Sequence, residues 1–79
     1  MTTKLRKLRK MRNISTKELA KMTQIPYRTL LHYEVGDRDI NKAKLDTIVD
    51  LSLALETDIR DILEDEELIC KLTIIFNRL

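Results

Sequence analysis

Apolar positions recur along this chain at spacings of three and four, the period of helices that bury one side. In KLRKLRKMR, residues 4–12, Leu5, Leu8 and Met11 alternate with basic residues, which predicts a first helix with an apolar stripe and a basic outer face. Asn13 suits its end, because asparagine tolerates the left-handed backbone that closes helices. STKELAKMT follows, and Ser15 with Glu18 three residues later is a capping box that starts a second helix. Leu19, Ala20 and Met22 are its expected inward face. Pro26 stands where a third helix should begin, since its missing N–H costs nothing at the first helical position. Leu30 and Tyr33 turn inward from that helix, with Thr29 alongside, which leaves Tyr27, Arg28, Leu31 and His32 on other faces. Gly36 is its C-terminal cap.

A fourth helix is expected over residues 42–55, capped by Asn41, with Leu45, Ile48, Val49, Ser52 and Leu55 facing inward. After a break at Glu56 and Thr57, Asp58 opens a fifth carrying Ile59, Ile62 and Leu63. The acidic run Glu64, Asp65, Glu66 and Glu67 reads as a solvated linker and marks a boundary between residues 1–64 and an extension over 65–79. In that extension Leu68, Ile69, Leu72, Ile75, Phe76 and Leu79 fit a helical stripe. LTIIF, residues 72–76, also fits a short strand, because apolar runs of that length do not fix the period. The expected architecture is all-α: a compact five-helix bundle with a short C-terminal extension.

Composition agrees with that class. At 79 residues the chain has room for one core, and its single Gly and single Pro supply little material for hairpins. Cys70 is the lone cysteine, which excludes an internal disulfide and fits a reduced, cytoplasmic setting. No apolar run approaches the roughly 20 residues that span a bilayer, so no membrane partner is expected. One His, one distant Cys and no phosphate-cradling loop argue against an enzyme, and no metal or cofactor is implied. Charge changes the picture more. Residues 1–44 hold twelve Lys or Arg against four Asp or Glu, whereas residues 45–79 hold three against nine. So polar a distribution points the basic half at a polyanion.

A second helix, a tight turn and a third helix that opens with polar side chains form a helix-turn-helix. LRKLRKMRNISTKELAKMT, IPYRTLLHYEVGDR and KLDTIVDLSLALETDIRDIL resemble the Cro/repressor-type, or XRE, helix-turn-helix family over residues 5–63. The resemblance implies the lambda repressor-like fold, with the third helix in the DNA major groove. It places Tyr27, Arg28 and His32 at base-contacting positions, Thr16 at a phosphate- or base-contacting position, and Arg9 with Glu34 as a buried ion pair. The residues themselves agree. Arg28 offers a fork suited to guanine, and His32 lies one turn further along the same face. Lys10, Arg12, Lys17 and Arg38 are candidates to neutralise phosphates, as are the amides opening the second helix. Two positions depart from the family pattern, which usually has Gln at Thr16 and Gly at Gln24.

The function expected is a sequence-specific transcriptional repressor that binds double-stranded DNA at a palindromic operator as a homodimer. Leu68, Leu72, Ile75, Phe76 and Leu79 are its expected dimer interface, the alternative being a tail folded onto its own bundle. The competing function is the protein-binding half of a toxin–antitoxin pair, whose acidic, apolar tail would clamp a basic toxin.

Overall fold

A computed structural model describes residues 2–79. Five α-helices are present: α1 Lys4–Met11, α2 Thr16–Thr23, α3 Tyr27–Val35, α4 Leu45–Leu55 and α5 Glu66–Asn77. Single 3-10 turns at Ile40–Lys42 and Ile59–Asp61 precede α4 and α5, and no strand occurs among the described residues. Among the described residues no helix is long and apolar enough to cross a membrane.

The chain starts by tying itself to the end of α3. The Thr3 hydroxyl accepts from the Arg6 amide as the cap of α1 and donates to the Glu34 carbonyl at 2.7 Å. Leu5 is buried and Leu8 partly so, but Met11 is exposed rather than inward. A helix turns about 100° per residue, so a strict three-residue spacing drifts about 60° per step and leaves the buried face within three steps. In α2 the capping box forms in both directions, with Ser15 Oγ accepting from the Glu18 amide and the Glu18 carboxylate accepting from the Ser15 amide. Leu19 and Ala20 are buried as expected. Met22 is 55 % exposed, however, and Thr23 takes the inward place. Four residues after Leu19, Thr23 sits closer to the centre of that face, and its hydroxyl is satisfied by the Leu19 carbonyl at 2.7 Å.

Gln24 then closes α2 in the left-handed conformation (φ 59°, ψ 22°), Ile25 buries, and Pro26 caps α3 from one residue outside it. Leu30, Tyr33 and Glu34 point into the core from α3, and Gly36 ends the helix at φ 90°. A side chain there would fit spatially, since its Cβ would meet only Thr3 Cγ2 at 3.7 Å, but the backbone angle favours glycine.

The second half departs further from the sequence reading. Asn41 does not cap α4. Asp39 caps the 40–42 turn, and Asn41 Oδ1 instead accepts from the amides of Glu64 and Asp65, at 2.8 and 2.9 Å, which fixes the entry to α5. α4 begins three residues later than expected and buries Ile48, Leu51, Ser52 and Leu55. Leu45 and Val49 face outward, aligned with Leu53 at i, i+4 and i+8. α4 therefore carries two apolar stripes, of which one faces the core. The fifth helix expected at Asp58 is a single 3-10 turn, though Asp58 does cap it and Ile62 and Leu63 are buried. The fifth α-helix is the extension itself, opened by the Asp65 side chain accepting from the Glu67 and Leu68 amides. The core that unites these elements is Leu5, Leu19, Ala20, Ile25, Leu30, Tyr33, Ile40, Leu51, Leu55 and Ile62.

Candidate nucleic-acid interface

Three elements meet at one buried pair. Arg9 Nε on α1 donates to Glu34 Oε1 on α3 at 2.8 Å, with the side chains only 12 % and 2 % exposed. Arg9 Nη1 continues to the Ile14 carbonyl at 2.8 Å, which holds the loop into α2. The Thr16 hydroxyl, opening α2, donates to the same Glu34 oxygen over a long 3.5 Å. Thus α1, α2 and α3 take their relative positions partly from one carboxylate, whose second oxygen is buried without a partner. Thr16 is turned partly into this cluster, so the Thr16 hydroxyl is engaged inward and its end of α2 presents backbone to solvent.

On the outer side of that frame, α3 exposes Tyr27, Arg28, Leu31 and His32. Tyr27 and Arg28 are the first two residues of the helix, and His32 stands one turn past Arg28. No ion pair engages Arg28 among the described residues, so its guanidinium is available. His32 is different: its Nδ1 lies 2.9 Å from Asp37 Oδ2 in the turn after α3. Sequence reasoning missed this partner, because nothing in GDRD distinguishes an acid that returns to the helix from one in solvent.

The basic candidates divide into two groups. Lys10 and Lys17 are exposed and outside any ion pair among the described residues. Arg12 is engaged, donating through Nη2 to the Glu56 carbonyl at 3.0 Å with its Nη1 3.7 Å from the Glu56 carboxylate, so it ties α1 to the end of α4. Arg38 is exposed with its guanidinium 5.5 Å from the Tyr33 ring centre, a cation–π contact that steadies it beside α3. Lys4 plays no part on this face: its Nζ donates to the carbonyls of Arg60 and Leu63 at 3.0 and 2.7 Å. At the start of α2, Ser15 Oγ serves the Glu18 amide, which leaves the amides of Thr16 and Lys17 open as the positive end of the helix.

The extension packs against the 59–61 turn. Arg60 holds it, with the guanidinium 4.8 Å from the Phe76 ring centre and Nη1 donating to Thr73 Oγ1 at 3.2 Å. Arg60 is itself clamped by both oxygens of Asp58, and that side-chain bond holds the Asp58 carboxyl below the usual carboxylate range. Leu68 and Leu72 share a groove with Leu45, Ile48, Ile59 and Leu63. Of the five residues expected to pair two chains, Leu68, Leu72 and Phe76 are thus half-buried against their own chain, while Ile75 and Leu79 remain exposed.

Set against known families, residues 5–62 match the family described as helix-turn-helix. Comparison with curated proteins gave no match, and neither did comparison with solved structures.

Proposed function

The chain belongs to the Cro/repressor-type helix-turn-helix family of DNA-binding regulators, and on that premise we propose that it is a sequence-specific repressor acting as a homodimer on a palindromic operator. The observation that carries this reading is the exposed leading edge of α3, where Tyr27, Arg28 and His32 stand together on a helix anchored from behind by Glu34. Such an edge enters a major groove about 12 Å wide. Arg28 donates two bonds to guanine, and Tyr27 and His32 address neighbouring base edges. The open amides of Thr16 and Lys17, with Lys10, Lys17 and Arg38, grip the flanking phosphates. Arg12 contributes less than the others, since Glu56 already occupies it.

One such helix reads few base pairs, and pairing two of them across a dyad supplies the remaining specificity. The partner surface is Ile75 on the exposed side of α5 and Leu79 just past its end, continuing through Leu68 and Leu72 into the outward stripe of Leu45, Val49 and Leu53 on α4, with Phe76 bracing α5 from its inner side. A second copy is the occupant that brings the same apolar stripe and sets two recognition helices on one face of the duplex. Repression follows from occupancy of the promoter. Selection of bound duplexes from a random pool tests the reading: an inverted repeat with half-sites about 34 Å apart is expected, and an asymmetric or absent consensus contradicts it. Sedimentation of Ile75→Asp separates the dimer question, because an unchanged dimer excludes the α5 surface.

A further inference from the structure

The contact between His32 and Asp37 has a consequence for which base is read. The backbone on either side of Asp37 is held in place, while its side chain is half-exposed. The amides of Gly36 and Arg38, on either side of it, both donate to the His32 carbonyl, at 3.1 and 3.2 Å. The turn is folded back onto the very residue whose ring the carboxylate meets, and the left-handed backbone of Gly36 (φ 90°) makes that reversal possible. Asp37 Oδ2 is 2.9 Å from His32 Nδ1.

A neutral imidazole carries one proton on its two nitrogens, so one is a donor and the other an acceptor. The hydrogen bond made by one nitrogen decides the state of the other. An ionised carboxylate only accepts. We infer that Asp37 fixes neutral His32 with its proton on Nδ1 and leaves Nε2 as an outward acceptor, which selects adenine or cytosine over guanine at one operator position. In the major groove, adenine N6 and cytosine N4 are the base-edge donors, whereas guanine presents only acceptors there. Asp37 is therefore a positioning residue for specificity, and it complements Arg28, whose donors suit guanine. This inference rests on the repressor reading for its operator, but the state of the ring does not. Asp37 is the charged group bonded to the ring, and Arg28 lies one turn before it on the same helix.

The chain has a single histidine, so its ring signals need no assignment. Two-bond proton–nitrogen correlation spectra of the DNA-free protein at about pH 8.5, above the range in which imidazole is ordinarily charged, are expected to show the proton on Nδ1. In Asp37→Ala they should show a mixture or the Nε2 form. Wild-type protein with its proton on Nε2 overturns the inference. In parallel, duplex selection with wild type and His32→Ala identifies the position that His32 reads. Removing the exocyclic amine of the pair at that position (purine for adenine, 2-pyrimidinone for cytosine) should cost wild type about five- to tenfold in affinity, the size of one net hydrogen bond. Asp37→Ala should flatten that position alone and leave the base preferences at every other position as in wild type. Wild-type binding unaltered by removal of that amine, or a preference unaltered in Asp37→Ala, refutes the inference. Failure to select any consensus refutes the repressor reading instead, and the spectra of the free protein tell the two failures apart.

Discussion

Removing Arg9 should be far more damaging than removing the whole ion pair. Glu34 is 2 % exposed, one of its oxygens has no partner, and the other depends on Arg9 Nε at 2.8 Å. In Arg9→Met the carboxylate stays buried with only the distant Thr16 hydroxyl to meet it. Stranding a buried charge in this way costs about 3–5 kcal/mol. A domain of this length has a total stability of roughly 4–12 kcal/mol, so the single variant should lose from about a quarter to all of it. The double variant Arg9→Met, Glu34→Leu leaves no charge behind. Its main loss is the bond from Arg9 to the Ile14 carbonyl, about 1 kcal/mol, offset by the absence of any desolvated ion. It should therefore lie within about 2 kcal/mol of wild type. Urea unfolding followed by circular dichroism measures both, with a slope near 1 kcal/mol per molar for a domain this small. A single variant that loses under about 1 kcal/mol, or a double as unstable as the single, would refute the argument that Glu34 is held by Arg9 at a cost in desolvation.

Other expectations are simpler. Gln24 is a non-glycine residue at φ 59°, so Gln24→Gly should raise stability by about 1 kcal/mol in the same urea experiment; a loss would mean that the Gln24 side chain stabilises the turn. Lys17→Ala should weaken binding to all duplexes alike and reduce the salt dependence by about one phosphate, and a sequence-dependent effect would move Lys17 to the bases. The Asp58 carboxyl is held below its ordinary value by Arg60, so its stabilising bond is fully present above the unfolded carboxylate range near 3.9 and is lost as pH falls through the lower folded value. Because Arg60 in turn holds Phe76 and Thr73, the protection of α5 amides, taken against their intrinsic exchange rates at each pH, should fall below about pH 4 in wild type, and Asp58→Asn should show that lower protection already at neutral pH.

The first three helices were legible because local chemistry dictates them. A reciprocal capping box, a proline at the start and a glycine at the end bound α2 and α3 without reference to the rest of the fold. The second half was less legible for a physical reason: α4 carries two apolar stripes, and periodicity alone says that both exist without saying which one the core covers. The sequence reading mixed Leu45 and Val49 into the buried set and omitted Leu51, which is fully buried. Asparagine is a common helix cap, which points Asn41 to α4, whereas its side-chain carbonyl oxygen serves amides 23 and 24 residues away. Long-range polar bonds of that kind leave no local pattern. The same limit hid the Asp37 contact with His32 and the diversion of Arg12 to Glu56.

Base recognition depends on α3 presenting its first turn to base edges. The sharpest measurement compares the base preferences of wild type and Arg28→Ala in parallel duplex selections at one salt concentration. Loss of guanine preference at a single position in each half-site, with every other position retained, is the predicted result, at about 1–3 kcal/mol of lost discrimination. A profile that merely fades uniformly, or does not change at all, would contradict it.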